Sequence, residues 1–439
     1  MIELDLSVPW NPPEPVLPPR KRGRPWIALA AVSLMSAAVL AAGAPPASTA
    51  PEYRLDDVRI LDLQAAGGRV IVSRYEPEAP GSRAEVRRLR DGALLWSTPL
   101  AVGERLGFLS ERVVARMSDE GGAATVFDAA TGDQLWEAPR LSVIGRAAGL
   151  LITEDLPEGS PQIRTVIITS DGQLAPNQAI EQVPRRYRAL DERTGKAVWT
   201  LEPPVGSIAE AGDDGMWVLS PDGRLETHDL ATGAVTATRR LAWSGTLSWY
   251  SMGDDGVMVA TAGQVGIDVF DRESGRLLWR WPATGTEAVP YACAAGLYCL
   301  RDGTGMAALD PRTGERRWHL DGYNGALGSD GRTVLVTDWG FGSPANAEQP
   351  IAAVDARTGR KRWELTGWRI TTLLRGNRIV VWRPTGGDGA VLAAVDPETG
   401  RLALIGRATV AHRDVSCVQD DGRLACVTDG ILSVWPLPR

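Results

Sequence analysis

The side chains of this chain that could do chemistry are few and scattered. Three histidines, His228, His319 and His412, stand far apart. A triad hydrolase needs a His within reach of a nucleophile and oriented by a carboxylate, and the sequence supports no such set. His228 and His319 fall close to a repeated turn phrase, where a structural place in the strand is the simpler reading. No Gly-Lys-Ser/Thr phosphate loop and no strand-linked Gly-x-Gly-x-x-Gly is present. Stretches such as Thr385-Gly-Gly-Asp-Gly389 read as loops between strands. The aspartates are more regular: Asp128, Asp191, Asp271, Asp310 and Asp355 each precede a Thr-Gly or Ser-Gly pair by three residues. An Asp at a turn entrance accepts hydrogen bonds from the turn's own N–H groups, so these carboxylates already have a structural task.

Four cysteines form two local pairs. Cys293 and Cys299 flank Ala294-Ala-Gly296, and Cys417 and Cys426 flank Asp420-Asp-Gly422. Each pair brackets a turn between two strand-like runs, and across a hairpin the Cβ separation suits a disulfide. Four buried thiols are the alternative. A zinc site is disfavoured, because no His or further Cys clusters nearby. The sequence therefore predicts no catalytic, cofactor-binding or metal-ligating residue.

What positions these groups is a phrase, Asp-x-x-Thr-Gly-x-x-x-Trp. It reads Asp128/Thr131/Gly132/Trp136, Asp191/Thr194/Gly195/Trp199, Asp271/Ser274/Gly275/Trp279, Asp310/Thr313/Gly314/Trp318 and Asp355/Thr358/Gly359/Trp363. Degenerate copies run from Asp229 through Thr232-Gly233 to Ala237, and from Asp396 through Thr399-Gly400 to Leu404. The first copy has Arg88 in place of Asp but keeps Gly92 and Trp96. Short apolar runs stand on both sides of each turn, which predicts a β-hairpin. The Gly supplies the positive φ of the loop, and the Trp offers a large apolar face for packing on the next unit. A further strand signal precedes most copies by roughly ten residues, as in Thr333-Val-Leu-Val336, and a weaker one before that gives four strands per unit. The copies stand mostly 38 to 45 residues apart, and four-stranded units at this period are propeller blades.

The sequence thus predicts an all-β chain, a β-propeller of eight four-stranded blades, with seven or nine left open. The opening arises at the C-terminus, where Arg423-Leu-Ala-Cys-Val427 and Ile431-Leu-Ser-Val434 add strands without a Thr-Gly turn. Ring closure by strands from both termini would absorb them. The 63 residues between Asp128 and Asp191 are too many for a bare blade and predict an insertion from about residue 156 to 184.

The phrase resembles the quinoprotein-like (PQQ-binding-like) β-propeller repeats, over residues 54–438. That resemblance implies the fold and leaves two functions open. One is the non-catalytic BamB-like branch, which implies an assembly or protein-binding scaffold. The other is a quinone- and calcium-dependent dehydrogenase, which implies a Ca²⁺ held by carboxylate and amide oxygens, an Asp base and often an adjacent Cys-Cys pair. This chain has no Cys-Cys dipeptide, and its length is short for such enzymes. The scaffold is the expected function, with no cofactor and a protein or peptide partner on a propeller face; the PQQ-dependent oxidoreductase is the alternative. The loops 155–162, 176–186 and 341–350, together with Trp243, Trp249 and Tyr250, are candidate contact residues. Each of the three aromatics has an equal claim as core filling, and Trp243 lies six residues after the Ala237 that replaces a repeat Trp.

Ahead of the repeats, residues 26–43 carry no charge. At about 1.5 Å per residue they reach roughly 27 Å, enough for a hydrocarbon core. Arg20, Lys21, Arg22 and Arg24 directly precede them, so the positive-inside rule keeps the N-terminus cytoplasmic and the propeller outside. A cleaved signal peptide is the rival reading. The expected organisation is a proline-rich cytoplasmic tail (1–25), a transmembrane helix (26–43), a proline-rich linker (44–53) and the propeller (54–438), in a bacterial cell membrane. Oxidising surroundings outside the membrane would let the disulfides persist. A formal charge of −7 disfavours nucleic acid as a partner.

Overall fold

The computed structural model describes residues 50–75, 81–118, 123–155, 184–212, 214–243, 247–252, 256–261, 267–281, 291–294, 296–301, 304–329, 331–338, 350–373, 379–385, 388–410 and 415–438. The chain divides into two units, residues 1–48 and 49–439, and the described residues belong to the second. Every regular element among them is a β-strand. No helix among the described residues is long and apolar enough to cross a membrane, and the apolar segment 26–43 lies outside them.

The strands form nine four-stranded antiparallel sheets among the described residues. Eight are meanders in chain order: sheet 1 (residues 58–100), sheet 2 (104–138), sheet 3 (143–201), sheet 4 (208–240), sheet 5 (247–281), sheet 6 (291–321), sheet 7 (325–365) and sheet 8 (369–409). Sheet 9 combines Val415–Asp420, Arg423–Thr428 and Ile431–Pro436 with Tyr53–Leu55, which pairs antiparallel to Ile431–Pro436.

The number of sheets exceeds the eight Gly-bearing hairpins by one, and the reason is topological. In sheets 1 to 8 the third and fourth strands are joined by the repeated turn. In sheet 9 the fourth strand arrives from the other end of the propeller, so no turn is needed and no Thr-Gly marks it. The surplus strands form this sheet instead of completing one of the eight.

The first strands of neighbouring sheets touch. Val58–Ala66 meets Glu104–Phe108, Val143–Ala147 meets Ile208–Gly212, and Arg369–Leu373 meets Val415–Asp420, which in turn meets Val58–Ala66. First strands therefore line an axis and fourth strands lie outermost, as in a propeller. Burial follows this order. Middle strands such as Thr333–Thr337 and Gly305–Leu309 are buried throughout, whereas the outer strand Val235–Arg240 is mostly exposed. A strand covered on both faces loses its apolar–polar alternation. Its two faces are still told apart by the partners they meet. Val380 and Trp382 pack toward sheet 9, while Ile379 and Val381 pack toward sheet 7. The core is thus a set of layers between sheets, and sheet 9 closes it through Val427, Leu432 and Val434 against Val70 and Val72 of sheet 1.

Residues 156–183, where the insertion is expected, lie outside the described residues. Its flanks are ordinary strand ends, with Asp155 paired to Arg186.

Candidate functional site

The repeat phrase builds a joint between consecutive sheets. In the turn of sheet 3, Asp191 Oδ1 accepts hydrogen bonds from the N–H of Arg193 (3.2 Å) and Thr194 (2.8 Å) and from the Thr194 hydroxyl (2.8 Å). The same cap recurs at Asp229, Asp271, Asp355 and Asp396. At Asp128 the Thr131 hydroxyl turns instead to Asp133, and at Asp310 the second oxygen is held by Arg317. Hydrogen bonding holds the carboxyls of Asp191, Asp229, Asp271, Asp310, Asp355 and Asp396 below the ordinary range. The hydroxyls of Thr194, Thr232 and Ser274 lead for Asp191, Asp229 and Asp271.

The capped turn then receives the Trp of the sheet before it. Trp136 donates its indole N–H to the carbonyl of Glu192 (3.0 Å), and its ring covers Gly195 so closely that a Cβ there would lie 2.6 Å away. Gly195 has φ +65°, so glycine is needed for the backbone and for the space. Equivalent bonds run from Trp96 to Ala129, Trp199 to Leu230, Trp279 to Pro311, Trp318 to Ala356 and Trp363 to Pro397. Their rings cover Gly132, Gly233, Gly314, Gly359 and Gly400.

Gly275 follows the sheet whose Trp is replaced by Ala237, and there the main chain takes over. The carbonyl of Arg240 lies 2.3 Å from where a Cβ of Gly275 would stand, and Arg239 Nε donates to the carbonyl of Glu273 (2.5 Å). Trp243 is buried with Trp217, Leu241 and Phe270, so it fills the layer between sheets 4 and 5. The side chains of Trp249 and Tyr250 lie outside the described residues, as do nearly all of loops 155–162, 176–186 and 341–350.

Both cysteine pairs are disulfides. Cys417 and Cys426 stand directly opposite in register with Cα atoms 4.1 Å apart, and Cys293 and Cys299 join neighbouring strands at 5.6 Å. All four are buried, and each bridge ties the first strand of its sheet to the second.

His228 and His319 are held in the sheets. His228 is buried, its Nδ1 donating to the Gly233 carbonyl (3.0 Å) while Nε2 lies 3.4 Å from Glu226. His319 lies beside Thr304 and Asp321, and His412 is outside the described residues. Among the described residues no group of three or more His, Cys, Asp or Glu could hold a metal ion.

Surfaces remain at the two ends of the sheets. In a four-stranded meander the first and third turns lie at one end, and the second turn and the link to the next sheet at the other. At the Thr-Gly end, a cleft of about 520 Å³ opens between sheets 2 and 3, lined by Ser110, Arg112, Arg146, Gly149 and Glu192. The buried Glu192 carboxylate accepts from the Ser110 hydroxyl (2.8 Å) and lies 3.5 Å from the exposed Arg112. Its backbone carbonyl is the one that receives Trp136, so the floor of this cleft is part of a joint. At the opposite end, the buried Glu154 takes Arg185 (2.6 Å) and the Tyr187 hydroxyl (3.1 Å), and that hydroxyl accepts from the N–H of Ala209 in sheet 4. Sequence reading missed Glu154 and Glu192, since only burial distinguishes them from the many surface acids.

These features define a β-propeller whose repeated residues serve its joints. A family model described as outer membrane protein assembly factor BamB matches residues 82–242 and again residues 185–340. Together the two matches span more than half of the chain, and the chain belongs to that family. A comparison with curated protein sequences finds no match. Among solved structures the chain is similar to a eukaryotic initiation factor, at 12% identity over 85% of this chain and 92% of that one, with a TM-score of 0.51. It is also similar to BamB from Moraxella catarrhalis (16% identity, 88% and 98% covered, TM-score 0.38). A third similar structure is the quinohemoprotein alcohol dehydrogenase from Comamonas testosteroni (14%, 89% and 77%, TM-score 0.38). Likeness at such identities speaks for the fold alone.

Proposed function

We propose that this chain is a non-catalytic protein-binding scaffold, tethered to a bacterial cell membrane by residues 26–43, with a cytoplasmic tail (1–25), a linker (44–53) and an outward-facing ring of nine blades. Membership of a family described as an outer-membrane assembly factor supports the scaffold at the level of class. The observation that carries the non-catalytic reading is the fate of the repeat residues. Each recurrent Asp is used in capping its turn and each recurrent Trp in joining the next sheet, so the phrase leaves no carboxylate over for a base. Two buried disulfides support a compartment where thiols oxidise.

Two measurements test this. Full-length protein incubated with Ca²⁺ and pyrroloquinoline quinone is expected neither to retain the quinone nor to reduce a dye with alcohols or sugars; turnover would replace the scaffold with the oxidoreductase. In intact spheroplasts, added protease is expected to reach the propeller and spare the first 25 residues. Protection of the propeller would reverse the topology.

A further inference from the structure

The residue that follows the capping Asp is where sheet 3 departs from the other sheets. Its backbone carbonyl receives the indole of the preceding sheet at Ala129, Leu230, Pro311, Ala356 and Pro397, all uncharged, and at Glu192. Arg272, at the same place in sheet 5, lies 3.7 Å from Asp214. Glu192 is only 4% exposed, so a carboxylate stands where the repeat keeps a small or apolar residue. The Ser110 hydroxyl, which accepts from the N–H of Arg112 (3.1 Å) and Val113 (3.3 Å), donates to Glu192 Oε2 (2.8 Å). Oε1 receives no hydrogen bond among the described residues. The guanidinium in ion-pair reach of it, Arg112 Nη1 at 3.5 Å, belongs to a side chain that is 71% exposed. Oε1 is not one of the enclosed polar atoms that lack a partner; it keeps access to the cleft of about 520 Å³ that Glu192 lines.

A carboxylate taken out of water is costly unless its oxygens are satisfied, and an exposed guanidinium at this distance supplies little. An ammonium in the cleft would give Oε1 a charge-assisted hydrogen bond in a place already shielded from bulk water. The walls decide what carries that ammonium. Arg112 and Arg146 both line the cleft, and Arg146 is held at its side by donating Nη2 to the Phe108 carbonyl (3.3 Å). Two guanidinia repel a bare cation, while Glu111 and Glu192 repel a bare anion. A metal ion lacks ligands, since no group of three His, Cys, Asp or Glu stands here among the described residues. A molecule bearing both an ammonium and a carboxylate answers both signs. There is room for it: the volume lies in the range of small-molecule sites, and a Cβ added to Gly149 on the wall would meet nothing within 4 Å.

We propose that the cleft between sheets 2 and 3 binds a short peptide zwitterion, its ammonium on Glu192 Oε1 and its carboxylate taken by Arg112 and Arg146. The site goes beyond the scaffold reading and does not rest on it.

The test titrates full-length protein by calorimetry with alanyl-alanine, with its N-acetyl form, which has no ammonium, and with its C-terminal amide, which has no carboxylate. Alanyl-alanine is expected to bind saturably, with each capped form about tenfold weaker or more, the factor that goes with one charge-assisted hydrogen bond. Glu192→Gln can still accept from Ser110 and is expected to bind alanyl-alanine and its N-acetyl form alike. The double variant Arg112→Gln/Arg146→Gln, made on two exposed side chains, should bind alanyl-alanine and its amide alike. Ala148→Trp, at an exposed hairpin tip on the cleft wall, should lose binding while the unfolding midpoint holds, which keeps the test open if Glu192→Gln does not fold. No saturable binding, a capped form as tight as alanyl-alanine, a Glu192→Gln protein that still prefers the ammonium, or unchanged affinity in Ala148→Trp would each overturn the proposal. No protein partner and no quinone is in the titration, so its failure leaves the scaffold reading standing, and quinone turnover would leave this site standing.

Discussion

The Tyr53 ring covers Gly92 as Trp136 covers Gly195. A Cβ added at Gly92 would lie 2.7 Å from the Tyr53 ring, against 2.6 Å for Gly195 and Trp136. Tyr53 is on the outer strand of sheet 9 and Gly92 is in the turn of sheet 1, so this contact is the joint that closes the ring. Tyrosine stands there because the closing strand is not made by a repeat. Further contacts fix the Tyr53 strand within sheet 9 and tie that sheet to the first turn of sheet 1. Glu52 donates its N–H to the Val434 carbonyl (2.7 Å) and pairs through its carboxylate with Arg423 (2.8 Å), while Gly68 N–H donates to Asp420 (2.5 Å).

The seam is the place where the ring is expected to open first. Tyr53→Ala should cost about 3 kcal/mol, the loss of a packed aromatic, and should expose residues 50–55 to protease before any other sheet. Tyr53→Phe should be neutral or slightly stabilising at pH 7, because the Tyr53 hydroxyl is enclosed without a partner. Burial raises the Tyr53 pKa above its ordinary 10.0. The stabilisation that goes with the neutral phenol is therefore complete below pH 10 and is lost as pH rises toward the folded value. Urea midpoints measured at pH 8 and pH 11 should fall further in the parent than in Tyr53→Phe, and equal falls would count against the buried phenol.

A matched pair of glycine variants separates backbone from packing at the joint. Gly149 has φ +80° with nothing within 4 Å of an added Cβ, whereas Gly195 has φ +65° and meets Trp136. Gly149→Ala should cost about 1 kcal/mol from backbone strain alone. Gly195→Ala should cost about 2–4 kcal/mol, since the indole must also shift. Equal midpoints in chemical denaturation would remove the packing part of the argument.

The indole nitrogen and the indole face can be weighed in the same way. Trp318 is buried and donates to the Ala356 carbonyl at 2.8 Å. Trp318→Phe keeps most of the ring and should cost about 1 kcal/mol for the lost hydrogen bond. Trp318→Ala should cost about 3–5 kcal/mol. If the Phe variant is as unstable as the Ala variant, the hydrogen bond dominates and the packing account fails.

The repeat made the joints legible, because Gly195 and Trp136 are each restricted to one job: a positive φ and a flat apolar face. Burial of Trp243 was legible as core filling, though the place beside Gly275 went to main chain and not to an indole. The ninth sheet was half legible. Its strands at 423–427 and 431–434 read as short apolar strand runs without a Thr-Gly turn, but Tyr53–Leu55 is three residues long and pairs with a strand nearly four hundred positions away, so no local pattern could assign it. Glu192 was not legible as a site. A Glu beside a turn reads as surface, and only three-dimensional burial reveals a carboxylate at the floor of a cleft.

Acid sensitivity should come from the capped turns, with Asp355 foremost. The guanidinium of Arg362 (2.7 Å) and the Thr358 hydroxyl (2.9 Å) pull its pKa from 3.8 down to about 2. A carboxylate depressed in the folded state stabilises fully above its unfolded value, and that stabilisation is lost as pH falls through the folded value. The window here runs from about pH 4 down to about pH 2. Asp191, Asp229, Asp271, Asp310 and Asp396 shift in the same direction, so their losses on acidification have the same sign. These carboxylates are near the surface, where solvent screens each contribution, and the sum is what should show. Asp355→Asn should lower the urea midpoint at pH 7 and flatten its decline between pH 5 and pH 2.5 relative to the parent. A variant that declines in parallel with the parent over that interval would show that Asp355 titrates alike in the folded and unfolded chain, and the cap would then contribute nothing to acid stability.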